Sequence, residues 1–269
     1  RPNLLAEPDA YLVEALQEAC RSLGRGQRRP KVLVAAYACE PDSGSEPGVG
    51  WQMCQAISRE HEVWALTRSN NRARIEAATA RVPNAHLHFV YADLPMWARF
   101  WKRGERGIQL YYVLWQFAAW RVARRLLRDV KFDVAHHVTF VNDYTFSFLG
   151  FLDIPFVWGP IGSNGKGHAP LMSGFRALLR DRLQYHVKAA RRVLDPFVWL
   201  CALRAKLVIG NHAAVIDRLP LLLAQEKYLT HIAIGVEEQI IDRPIAQRWG
   251  GFTVLGMGNL LPIKGFHLS

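Results

Sequence analysis

The sequence predicts an α/β domain built on a parallel β-sheet with helices on both faces. Three observations carry this. Short apolar runs rich in β-branched and aromatic residues alternate along the chain with longer segments of helical period. The runs are apolar at nearly every position, as in strands covered on both sides. Half of the 269 residues are hydrophobic, enough to fill such a core and to exclude a disordered chain.

Residues 1–30 stand apart. Leu12, Val13, Leu16, Ala19 and Leu23 recur at helical spacing, and the basic stretch GRGQRRP follows, so a leading helix and linker are expected there. KVLVAAY (31–37) reads as the first strand, followed by a glycine-bearing loop and a helix to about residue 60. HEVWALT (61–67) is the second strand and NNRARIEAATARV a helix. HLHFVYA (86–92) is the third strand, and two helical stretches follow between Met96 and Asp129. FDVAHHV (132–138) and PFVWG (155–159) are the fourth and fifth strands. A helical region fills roughly 170–204, and KLVIGN (206–211) and THIAIGV (230–236) supply the sixth and seventh strands. Strands separated by helices imply right-handed βαβ crossovers and hence a Rossmann-like sheet over 31–250. Ligands of such sheets bind beyond the carboxyl ends of the strands. The loops after strands one, four and five are therefore where chemistry is expected.

Lys and Arg number 34 against 23 Asp and Glu, a net charge of +11. That surplus suits phosphorylated metabolites, nucleic acid or an acidic membrane surface without choosing among them. No helix-turn-helix, zinc-finger or RNA-binding signature accompanies it, so a nucleic-acid partner is not expected. Cys20, Cys39, Cys54 and Cys201 form no C-x-x-C pair, which argues against a cysteine-built metal site and for a reducing, cytoplasmic setting. The longest apolar run, IQLYYVLWQFAAW, is too short to span a bilayer.

Four loops and one helix carry candidate chemistry. In ACEPDSGSEPGVGW, Ser45 is placed to cap the following helix with Pro47 in its first turn. Gly44, Gly48 and Gly50 would let backbone approach a ligand. Glu46 at that helix start disfavours a bare phosphate and suits sugar hydroxyls. A glycine turn that merely folds is the plain alternative. In FDVAHHVTFVND, His136 and His137 point to opposite faces of a strand, so at most one faces the crevice, where it could hold a proton near neutral pH. Two histidines satisfied within the sheet are the structural alternative, and no third ligand stands at metal spacing. In VWGPIGSNGKGH, Lys166 is followed by Gly167 rather than Ser or Thr, which excludes a Walker A loop. In MWARFWKRGER, Trp97, Phe100 and Trp101 share one helical face while Lys102 and Arg103 lie elsewhere around it. That composition fits a helix lying on an anionic membrane, or equally aromatics packed on the sheet. Finally FTVLGMGNLLPIKGF reads as a strand, a glycine turn and a helix start, with Lys264 placed to meet a pyrophosphate as a point charge.

Taken in order, SGSEPGVGW, HEVWALT, FDVAHHVT, PFVWGPIG, KLVIGNHAAVIDRLP, THIAIGVEEQII and FTVLGMGNLLPIKGF resemble the succession of motifs in glycosyltransferase family 4, over about residues 31–269. The resemblance implies a GT-B architecture of two Rossmann-like domains facing a cleft, the first binding an acceptor and the second a nucleotide sugar. It implies retaining transfer to a lipid-linked or polysaccharide hydroxyl, with the nucleotide sugar as co-substrate and neither metal nor other cofactor. Residues 251–269 would then be the first strand and turn of a truncated donor domain, and the chain alone is not expected to turn over. Carried over by position, Gly44, Ser45, Glu46 and Gly48 fall in the acceptor loop, and the pair His136 and His137 at the cleft histidine. Asn259 and Lys264 fall where the family holds the pyrophosphate, Asn259 standing in place of an arginine. A non-catalytic membrane-surface module is the competing expectation.

Overall fold

The computed structural model describes residues 28–98, 107–162, 174–216, 219 and 227–231. Within them the chain alternates strand and helix. Strand β1 (Lys31–Ala35) leads to helix α1 (Ser45–Glu60), β2 (Glu62–Thr67), α2 (Arg72–Arg81) and β3 (Leu87–Tyr91). Then come α3 (Ile108–Asp129), β4 (Val134–His137), β5 (Phe156–Ile161), α4 (Phe175–Leu194) and α5 (Pro196–Arg204). The series ends with β6 (Ala205–Gly210), the short α6 (Ala213–Ile216) and β7 (Tyr228–Thr230). The seven strands form one sheet in the order β3-β2-β1-β4-β5-β6-β7, and every pairing is parallel. The expected α/β, Rossmann-like fold is therefore present.

Each face of the sheet is buried under its own layer. Val32, Val34, Val63 and Ala65 point to one side and pack with Cys54 of α1 and Ile75 of α2. Leu33, Ala35 and Leu66 point to the other and pack with Tyr112, Trp115 and Ala119 of α3 and Val198 and Cys201 of α5. This is the period of two that puts successive side chains on opposite faces. Helix α3 obeys the other period: its buried residues Tyr111, Tyr112, Trp115, Gln116, Ala119 and Ala123 fall on one stripe at spacings of three and four. Trp115 is wholly buried and its indole N–H donates to the Ala92 carbonyl at 2.7 Å, so its one polar atom is satisfied.

Two boundaries differ from expectation. The helical region forecast for 170–204 is two helices, because Pro196 cannot continue α4. Asp195 accepts from the Phe197 amide at 2.9 Å and caps α5. Strand β7 sits slightly upstream of the forecast 230–236, since Tyr228 and Leu229 are the residues that pair with Val208 and Ile209. Residues 232–236 of that forecast lie outside the described residues, as do the leading helix as far as residue 27 and all of 251–269. No helix among the described residues is long and apolar enough to cross a membrane.

Trp115→Ala removes the largest side chain between α3 and the sheet. It is expected to cost about 3–5 kcal/mol, read as a lower urea midpoint with an unchanged slope.

Candidate functional site

Strands β1 and β4 are neighbours in the sheet, but the chain leaves them in opposite directions: β1 connects through α1 to β2, and β4 connects to β5. At such a switch point the two connections diverge beyond the carboxyl ends and leave a crevice. Its walls are the loops 36–44 and 138–147. The sheet pairing extends into them. The Val138 amide donates to the Ala35 carbonyl at 3.0 Å, and the Ala38 amide donates to Thr139 Oγ1 at 3.1 Å. Behind the crevice the Tyr37 ring meets Tyr112, Trp115 and Phe140 edge-on at 4.7–5.0 Å. The Arg68 guanidinium lies 4.2 Å over the same ring and donates from Nε to the Tyr37 carbonyl at 3.2 Å. Asp42, Ser45 and Phe140 all hold positive φ, at 55°, 58° and 59°. For residues with a Cβ this region is unfavourable, and strained backbone of this kind gathers at functional sites.

The first loop departs from expectation in two ways. Ser45 does not cap α1: Gly44 occupies the cap position and no side chain there bonds to the helix. Pro47 does stand in the first turn. Gly48 and Gly50 are not openings for a ligand. A Cβ at Gly48 would overlap the Ser43 carbonyl, and one at Gly50 the Ala38 carbonyl and the Thr139 methyl. Both glycines let α1 close on the loops. Gly44 has nothing near its Cβ position and is exposed, like Asp42, Ser45 and Glu46.

Glu46 reaches across the crevice, and its Oε2 accepts from the Phe140 amide at 3.1 Å. The residue is exposed as a whole, yet the protein crowds its carboxyl. That burial raises its pKa above the ordinary value, only partly offset by the Phe140 N–H. The result is a carboxylate fixed at the rim with acceptor capacity to spare, in the loop that carries Asp42, Ser43 and Ser45. Sequence reasoning missed Phe140, whose amide holds this contact; no residue type marks a backbone donor.

The two histidines occupy opposite faces, as alternation requires. His136 stands opposite Val34, and His137 opposite Ala35. Neither is freely exposed: they retain 8% and 1% of their surface. The His136 Nε2–H donates to the Gly159 carbonyl at 2.8 Å. His137 Nε2 lies 3.0 Å from the Tyr112 hydroxyl. Its Nδ1 closes no hydrogen bond, although the Thr139 backbone favours the charged ring slightly. Burial lowers the pKa of His136 to about 4 and, with His136 alongside, that of His137 to about 3. Both rings are neutral near pH 7, so neither brings a positive charge to the crevice. His136 alone keeps some access.

The loop after β4 is tied down by a buried ion pair. Asp143 is wholly inaccessible, and Arg192 of α4 meets its Oδ2 at 2.8 Å. Lys188 lies 5.4 Å over the neighbouring Tyr144 ring. The loop after β5 is described only to Gly162, where a bridge to Asn142 continues the β4–β5 pairing. Trp97 is 78% exposed; Phe100, Trp101, Lys102, Arg103, Asn259 and Lys264 lie outside the described residues. Among the described residues no group of His, Cys, Asp and Glu is arranged to hold a metal ion. No protein-family model matches the chain, and no curated protein matches it.

Two outcomes follow. Folded histidines with lowered pKa bind fewer protons than unfolded ones below about pH 6.5, so stability rises with pH between about 4 and 6.5. His137→Gln is expected to reduce that slope by about one proton in urea titrations across the range. Arg192→Met leaves Asp143 buried and unpaired, a loss of about 3–5 kcal/mol in denaturant unfolding. Adding Asp143→Asn is expected to recover part of it.

Proposed function

We propose that the switch-point crevice binds the acceptor of a retaining sugar transfer, and that the chain forms the acceptor-side lobe of a GT-B glycosyltransferase of family 4 type. The observation that carries this is the Glu46 carboxylate, fixed across the crevice by the Phe140 amide at the site where doubly wound sheets take their ligands. A rim carboxylate with acceptor capacity to spare accepts from sugar hydroxyls and repels free phosphate. That selects a glycan or lipid-linked hydroxyl for this lobe over a nucleotide. In this scheme Gly44, Ser45, Glu46 and Gly48 shape the acceptor loop. His136, neutral and slightly accessible, contacts the reacting sugar through its ring edge. Asn259 and Lys264 meet the pyrophosphate of the nucleotide-sugar donor. The setting is the cytoplasm, at the inner face of a membrane where lipid-linked acceptors are presented.

The roles of these groups are positioning ones. The strained loops and the Thr139–Ala38 and Glu46–Phe140 contacts hold the crevice before an acceptor arrives. Its hydroxyl then meets an organised site instead of ordering a loose one. Phe140 and the Tyr37 cluster behind it supply the apolar wall against which a sugar face can rest.

The test is protein-observed amide NMR of the 269-residue chain titrated with an oligosaccharide panel and, in parallel, nucleoside diphosphate sugars. Glycans are expected to bind with amide shifts at Glu46 and Phe140. Glu46→Gln, which keeps the size and loses the charge, is expected to weaken them about tenfold. Absence of any glycan shift in the two loops, or glycan affinity indifferent to Glu46→Gln, would overturn the proposal.

A further inference from the structure

Helix α4 is built the wrong way round for a surface helix. None of its 20 residues is buried. The side chains half-covered by the domain include Asp181, Lys188, Arg191 and Arg192, and Arg192 is the partner of buried Asp143. The opposite side carries Phe175, Leu179, Leu183 and Val187, one per turn at a spacing of four. These are 77%, 56%, 62% and 50% exposed. A surface helix ordinarily turns such a ladder toward the core. Here Asp181, Lys188, Arg191 and Arg192 share the half-covered side with Ala177, Leu178 and Ala189, and the apolar ladder faces out.

The charges decide what the ladder meets. Helix α4 holds Arg176, Arg180, Arg182, Lys188, Arg191 and Arg192 against the single acid Asp181. Arg176, Arg180 and Arg182 are exposed on the same turns as the ladder. A second copy of the helix would bring the same arginines against these, and like charges would oppose pairing. A basic helix with an open apolar face fits an interface that is apolar in depth and negative at its surface. Long arginine side chains can reach back from such a surface to lipid phosphates while the ladder enters the acyl boundary.

We propose that α4 docks the protein on an anionic lipid bilayer, with Phe175, Leu179, Leu183 and Val187 entering the headgroup region and Arg176, Arg180 and Arg182 meeting lipid phosphates. This does not depend on the sugar-transfer proposal; it needs only the helix. The test is co-sedimentation of the 269-residue chain with vesicles of phosphatidylcholine alone and of phosphatidylcholine and phosphatidylglycerol in equal parts. Binding is expected to the mixed vesicles only, and to weaken as salt is raised. Leu179→Gln with Leu183→Gln alters two exposed side chains, so circular dichroism should match the native chain. The partition coefficient is expected to fall about tenfold or more. Arg176→Gln with Arg180→Gln and Arg182→Gln is expected to remove the preference for anionic lipid. The proposal is overturned if the native chain leaves mixed vesicles unbound, binds neutral vesicles equally, or binds undiminished with both leucines replaced. It is overturned equally if sedimentation shows the ladder consumed by self-association that the leucine substitutions abolish.

Discussion

The pairing of β1 with β4 is the constraint on which the crevice depends. It is fixed at both ends. At the amino end Asp133 accepts from the Lys31 amide at 2.9 Å and from the Arg28 fork at 2.8 and 2.9 Å, which sets Val32 opposite Val134. At the carboxyl end Thr139 accepts from the Ala38 amide. A slip of one residue would exchange the two faces. His137 would leave Tyr112, and Leu33 and Ala35 would leave the α3 layer. The register therefore decides at once which histidine is sealed and where the two loops part.

Closing the crevice floor has a conformational cost. Asp42, Ser45 and Phe140 hold positive φ, and α1 approaches so closely that Gly50 leaves no room for a Cβ. The surrounding packing outweighs that cost. The Tyr37 hub fixes Phe140 in place, and the Phe140 amide in turn fixes Glu46. The thiols lie under this cover too. Cys39 and Cys54 are wholly buried, and the bond from Cys54 together with burial holds the Cys39 thiol well above its usual pKa. A thiol kept protonated is a packing residue here, not a nucleophile.

How much of this was legible follows from what each feature depends on. The first six strands announce themselves by local composition, because a strand covered on both faces must be apolar at successive positions; the short, half-exposed Tyr228–Thr230 does not. KVLVA and FVWGPI need no partner to be read. Pro196 ends a helix for a reason internal to its ring, yet the single helical region expected over 170–204 runs through it. The loops after β1 and β4 were marked as chemical because topology places them at the carboxyl rim. Their inner workings were not legible. Gly48 and Gly50 read as openings, but the space beside them is filled by the Ser43 and Ala38 carbonyls and by Thr139, far off in sequence. Ser45 read as a cap, but its backbone is bent into another region. The histidine pair read as opposed faces, and they are. That both would be buried and neutral follows only from the layers packed over β4, which no short stretch encodes.

The inverted helix and the crevice share one cause. Asp143 lies at the tip of the β4 loop with no exposed surface, and an unpaired carboxylate there would be prohibitive. Arg192 answers it, which commits the charged side of α4 to face the domain. Lys188 over Tyr144 commits it a turn earlier. Once that side is turned in, helical geometry leaves Phe175, Leu179, Leu183 and Val187 no direction but outward. The exposed ladder is thus tied to how the loop at the switch point is held. Arg192 joins α4 to the same loop whose Phe140 amide holds Glu46.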